Sequence, residues 1–182
     1  MLRRFIEGLC VLALLLVVGA MGAARLWPAP GAGFWWRAAA IAQMPQDFGA
    51  LDIAQSPRRA TPNDALICPE SVCQRAKPDL VAPVFAVPAA ELRRKVAIAA
   101  LAEPRTEELT CAADCDKTGR FVQYSALFQF PDTIDVRVVE AGANSSTLSI
   151  YSRSVFGYGD FGVNLARVER WLATLHRIIP HS

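Results

Sequence analysis

The stretch Thr133–Ser154, TIDVRVVEAGANSSTLSIYSRS, decides the fold. Ile134, Val136 and Val138 recur at every second position, and so do Leu148, Ile150 and Ser152. A period of two places each set on one face of a strand. Between them Ala141–Ser145, AGANS, supplies the Gly and Asn that tight turns favour, so the stretch predicts a β-hairpin. Upstream, Arg120–Phe130 alternates too, with Val122, Tyr124, Ala126, Phe128 and Phe130 sharing a face until Pro131-Asp132 breaks the run. Asp116–Gly119, DKTG, reads as the turn before it, and Glu107–Ala112 as a weak additional strand. Three or four consecutive strands joined by short turns predict an antiparallel meander.

Helices flank this block. Pro88 suits the first helical position, where its missing N–H costs nothing. Ala89–Ala102 is rich in good helix formers and stops before Pro104. Leu92, Val96 and Ala99 form its apolar stripe, with Arg93, Arg94 and Lys95 toward the other side. At the far end Leu165, Val168, Leu172, Leu175 and Ile179 recur at helical spacing, while Arg167, Arg170, Thr174 and Arg177 fall elsewhere. Asp160 is the expected N-cap and Pro180 the stop. The expected fold is α+β, a two-layer sandwich of a three- to four-stranded antiparallel sheet with two flanking helices, preceded by an N-terminal transmembrane helix. Both helices would cover one sheet face. The other would be open, or rest on the connector and the cysteine loop.

Composition narrows the class. The 182 residues carry a net charge of +2, with 53% hydrophobic and only 20% charged residues. This excludes a disordered chain, and it leaves no strong positive field for binding nucleic acid. The apolar residues concentrate in Gly8–Ala24, GLCVLALLLVVGAMGAA, which holds no charge and is about as long as a spanning helix requires. Arg3 and Arg4 precede it, and Arg25, Trp27, Trp35 and Trp36 follow. An anchor is favoured over a cleaved signal peptide, because the run is long for a signal core and carries an aromatic flank. Either way the bulk of the chain is exported, giving residues 1–26 as anchor or signal segment, 27–62 as a Pro/Gly-rich connector and 63–182 as the α+β domain. The expected location is a single-pass inner-membrane protein with its C-terminal domain in the periplasm. Thr61–Leu80 reads as an irregular lead-in stapled by cysteine.

Cys10 lies in the apolar run, leaving Cys68, Cys73, Cys111 and Cys115. In an exported domain these suggest two disulfides, with local pairs Cys68–Cys73 and Cys111–Cys115 preferred over long-range bridges. A four-thiolate zinc site is the sharper alternative.

Signals for chemistry are thin. Only His176 and His181 are present, so a histidine triad or a multi-histidine metal site is poorly supplied. No phosphate loop occurs, and no cofactor is expected. Asp132 and Asp135 are weighed as paired carboxylates, with their turn position arguing for simple solvation. Arg120, Gln123 and Ser125 read as outward-facing surface residues. The densest polar cluster is Tyr151–Trp171, where Arg153, Tyr158, Asp160, Asn164 and Arg167 are the candidate ligand-binding residues. A helix N-terminus beside arginine suits an anion. The competing and favoured reading is structural: Asp160 caps, and Asn164 and Arg167 hold the turn.

Four segments, PNDALICP, KPDLVAPVF, RFVQYSALFQFPDTIDVRVV and STLSIYSRSVFGYGDFGVNLARVERWL, resemble the bacterial domain-of-unknown-function family 1499, over roughly Pro62 to Leu175. The resemblance implies a small, often membrane-anchored domain and no established reaction. It lays emphasis on Arg120, Gln123, Phe130, Pro131, Asp132, Ser152, Ser154, Gly157, Asp160, Gly162, Asn164 and Arg167. Cys111 and Cys115 are not part of the family's pattern. The expected role is a non-enzymatic binding or interaction module of the cell envelope. Its partners would be the inner membrane through the N-terminal segment, and an envelope protein or a small anionic ligand, without nucleic acid. An envelope hydrolase or transferase using Tyr158, Asp160 and Arg167 is the alternative.

Overall fold

In the computed structural model residues 49–111 and 114–179 are described. The elements follow the order β1 (Asp64–Cys68), β2 (Leu80–Val81), α1 (Ala89–Leu101), β3 (Thr106–Glu108), β4 (Thr118–Tyr124), β5 (Pro131–Gly142), β6 (Ser145–Ser154) and α2 (Val163–Ile178). The expected transmembrane helix and most of the connector lie outside the described residues. Among the described residues no helix is long and apolar enough to cross a membrane.

The hairpin of β5 and β6 is the spine. Its register pairs Ile134 with Ser152, Val136 with Ile150 and Val138 with Leu148, with an irregularity between Glu140 and Gly142. The alternation of both strands therefore points its apolar residues to one side. β4 adds antiparallel to β5, and β3 to β4. On the other flank β1 pairs antiparallel with β6, and β2 lies parallel to β1.

The sheet is thus larger than the sequence pattern predicts: six strands in the order β2-β1-β6-β5-β4-β3, mixed rather than purely antiparallel. The strands missed are β1, which lies in the segment read as irregular, and the two-residue β2 at the end of that segment. In β1, Ala65–Cys68 are buried without interruption. A strand covered on both faces has no alternation to detect. The edges are short, two residues in β2 and three in β3.

Both helices pack on one face. Leu92, Val96 and Ala99 of α1 and Val168, Trp171 and Leu175 of α2 close over Ile67, Phe121, Ile134, Val136, Leu148 and Ile150. The Trp171 ring meets Phe121 edge-on at 5.4 Å between centroids. The opposite face carries a smaller layer in which Leu66, Cys68 and Tyr151 pack with Ile53 and Cys73. Residues that read as connector therefore cover part of the second face.

Two helical arginines depart from the expected pattern. Arg93 is buried: it donates to the Thr118 carbonyl and pairs with Glu108. Gly119 makes room for it, since a β-carbon there would stand 2.7 Å from the Arg93 Cζ. The second is Arg167, described below.

The cysteines are bonded locally, Cys68 to Cys73 and Cys111 to Cys115. These bonds consume the thiolates that a zinc site would need. Cys68 sits fully buried in β1 and Cys73 packs on Tyr151, so this pair ties the second-face layer to the sheet. Closing so short a loop stabilises by about 2 kcal/mol. Replacing Cys68 and Cys73 together by alanine is expected to cost at least about that much. The Cys111–Cys115 bond closes a loop of almost the same length, but its double replacement removes no buried packing, so it is expected to cost about 2 kcal/mol, less than the first pair. Denaturant titration of the two variants checks the ranking.

Candidate functional site

The polar cluster divides into two networks, one on each face of the sheet, both at the end where β6 finishes and α2 begins. On the helix side, Asn164 in the first turn of α2 and Arg167 one turn later face Ser152 and Ser154 of β6, Asp132 of β5 and Gln123 of β4. Arg167 is 2% exposed. Its Nη2 donates to Asp132 Oδ2 at 2.6 Å, and its Nη1 to Ser152 Oγ at 2.8 Å and Asn164 Oδ1 at 2.6 Å. Its Nε donates to Gln123. The Asn164 amide donates to Ser154 Oγ at 3.0 Å, Asp160 Oδ2 at 2.7 Å and the Asn63 carbonyl at 3.2 Å. Gln123 also donates to Thr106 Oγ1 at 2.9 Å. A buried guanidinium is tolerable because paired charge and matched acceptors replace the water it has lost.

Asp160 performs the capping expected of it from an unexpected position. The N-cap is Gly162, in a left-handed conformation with φ of 79°. Asp160 stands two residues earlier and accepts from the Gly162 N–H at 2.9 Å and the Asn164 N–H at 3.1 Å. Its carboxylate thereby satisfies donors of the first turn that would otherwise be orphaned.

Asp132 and Asp135 do not form a pair. They are three residues apart in one strand, so they face opposite sides, and both are buried rather than solvated. On the second face Asp135 lies between two arginines, accepting from Arg153 Nη2 at 2.8 Å and Arg120 Nε at 3.1 Å. Burial pushes its carboxyl above the ordinary value, and the pull of Arg153 and Arg120 does not cancel this. Beyond Arg153, the Tyr151 hydroxyl donates to Asp64, which Arg58 grips at 2.7 Å while also reaching Asp79 at 2.9 Å. Burial and the carboxylate partner both raise the Tyr151 phenol. A cleft of about 350 Å³ opens beside this row, with Leu51, Asp52, Arg120, Asp135 and Arg137 among its walls.

Of the five candidate residues, Asp160, Asn164 and Arg167 come together. Arg153 stands on the opposite face, and Tyr158 projects to solvent at 75% exposure. Gln123 is buried in the helix-side network, not on the surface. Arg120 is partly covered on the second face. Sequence reasoning did not anticipate the acceptors Gln123, Asp132, Ser152 and Ser154 as partners of Arg167 and Asn164. Their coincidence in the family pattern was the available signal. Among the described residues no three His, Cys, Asp or Glu side chains are placed to share a metal ion.

The "Protein of unknown function (DUF1499)" family matches residues 56–175, which span β1 through nearly all of α2. The chain belongs to that family. No curated protein matches this DUF1499 chain. Among solved structures, protein CV1439 from Chromobacterium violaceum is similar at 11% identity with a TM-score of 0.34, over 66% of this chain and 100% of that one.

The DUF1499 domain carries a pH signature at Asp64. Burial would push this carboxyl up, but Arg58, the Tyr151 hydroxyl and the Arg59 N–H together hold it below the ordinary 3.8. A carboxyl with a lowered value in the fold contributes stability that is present above its unfolded value and lost as pH falls through its folded one. The stability gap between the wild type and Asp64→Asn is therefore expected to be constant from about pH 7 to about pH 5. It should narrow on further acidification. Melting curves across this range check it, and a gap that does not change down to about pH 3 would show that Asp64 is not held this way.

Proposed function

We propose that this DUF1499 protein is an exported, single-pass inner-membrane protein whose folded domain stands in the periplasm as a non-enzymatic binding or interaction module. The observation that carries the reading is the engagement of Arg167. Its guanidinium is committed to Asp132, Ser152, Asn164 and Gln123 inside the domain, so the most concentrated polar cluster braces the fold. It is not poised to receive an anion. Recognition then falls to the surface loops that this network supports, with Tyr158 the accessible member of the five candidate residues. Export is supported by the uncharged run Gly8–Ala24 and by two cysteine pairs at bonding distance, which suit an oxidising compartment.

The hydrolase or transferase alternative gains no support from the geometry. Tyr158 is open to solvent while Arg167 is sealed, so the two do not line one pocket. The test is topological. An alkaline phosphatase fused to the C-terminus is expected to be active, and a green fluorescent protein fused there to be dark. The reverse pattern would refute the export reading, and with it the envelope role.

A further inference from the structure

The cleft on the second face of the sheet lies apart from the Arg167 network, and four side chains make its floor. Thr118 and Arg120 are alternate residues of β4, and Asp135 and Arg137 of β5, so all four share that face. The register sets Thr118 opposite Arg137 and Arg120 opposite Asp135. Leu51, Asp52 and Ile53 form one wall, and Cys111 and Asp114 another. Ile53 is buried with Leu66 and Tyr151, which ties the first wall to the sheet. The floor runs from Arg137, with its side chain 49% exposed, to Asp135 at 4%. A volume of about 350 Å³ stands at the small end of the range for ligand sites, roughly 300–1,000 Å³.

Charge selects the ligand. The cleft presents both signs, Asp52, Asp114 and Asp135 against Arg120 and Arg137, with Arg153 bonded to Asp135. A bare anion would meet the carboxylates, and a bare cation the guanidiniums. A molecule that carries both charges close together gains from each set. The inner acid is committed, since Asp135 accepts from both Arg120 and Arg153. The outer pair is loose. Arg137 reaches Asp52 only at 3.5 Å, with both side chains about half exposed, and a pair of that kind is exchanged at little cost. Burial that holds the Asp135 carboxyl above its ordinary value also leaves charges at the inner end poorly screened, so contacts made there count for more.

We propose that this cleft binds a small zwitterion with an apolar side chain, a free α-amino acid of leucine's size. The ligand's carboxylate takes Arg137, whose planar guanidinium can hold both oxygens. Its ammonium takes Asp114 and the Asp52 that Arg137 gives up. Its side chain lies against Leu51 and Ile53. The site is separate from the loops named above, and it does not depend on the topology of the chain.

The test dialyses radiolabelled leucine to equilibrium against the purified full chain. Saturable retention is expected. Unlabelled leucine should displace the label. Isocaproate, which lacks the ammonium, and isoamylamine, which lacks the carboxylate, should each do so about tenfold less well. Arg137→Gln and Asp114→Asn should each weaken retention about tenfold with the melting curve unchanged. Asparagine suits the left-handed backbone at position 114, with φ of 52°, and keeps the carbonyl that accepts from the Lys117 and Thr118 N–H groups. Arg177→Gln removes the same charge from the exposed side of α2 and should retain leucine as the wild type does. No saturable retention, equal displacement by either analogue, full retention in both cleft variants, or an equal loss in Arg177→Gln would overturn the proposal. Each of these outcomes leaves the export reading to its own fusion test, and a failed fusion test leaves the cleft to this one.

Discussion

Replacing Arg167 by leucine is expected to destabilise the domain by about 3–5 kcal/mol, the usual result of removing one partner of a buried ion pair. The substitution strands the Asp132 carboxylate and leaves the acceptors on Gln123, Ser152 and Asn164 without their donor. Against a total stability of about 5–15 kcal/mol for a domain, that loss removes a large share and shifts the denaturant midpoint markedly. Arg167→Lys should not rescue it, because an ammonium cannot reproduce the planar fork that reaches four partners. Leucine at both 167 and 132 should be less harmful than leucine at 167 alone, since the uncompensated charge is then gone. Denaturant titration of the three variants decides. An Arg167→Leu protein as stable as the wild type would mean that the guanidinium is free to serve a ligand, and the bracing account would be wrong.

The second large effect is expected at Trp171, 1% exposed and enclosed between α1 and the sheet. Trp171→Ala should cost about 3–5 kcal/mol through the lost burial and the cavity left behind. Trp171→Phe should cost much less. The indole Nε1 is buried with no hydrogen-bond partner, a deficit of about 1–3 kcal/mol that phenylalanine removes. The gain offsets part of the smaller ring's lost contact with Phe121. Comparable losses in the two variants would show that the nitrogen is satisfied in solution.

The hairpin and the two helices were legible because their apolar residues recur at two and at 3.6 positions with turn residues or proline between them. β1 was not, because Ala65–Cys68 is buried on both sides and carries no periodicity. β4 was placed on the right residues near its start but in the wrong phase. Phe121 and Gln123 face the helices, and the strand ends at Tyr124. Gln123 misleads because hydropathy treats a buried amide as surface, and only its partners Arg167 and Thr106 explain its position. Arg93 and Arg167 mislead for the same reason: each is a charge whose partners come from distant segments, Glu108 in one case and Asp132 in the other. The local half of the candidate cluster, Asp160 with Asn164 and Arg167, was readable from helical spacing. Arg153 was not separable from it, because adjacent strand residues point to opposite faces and the spine's orientation had to be known first.

The sheet's margins have a consequence for behaviour at high concentration. An unpaired strand is a template on which another chain can add, and long flat margins polymerise. Here the outermost segments are stubs of two and three residues, too brief to seed growth. Among the described residues, brevity at both margins and the exposed Glu107 and Glu108 on β3 therefore act together against the addition of a further chain.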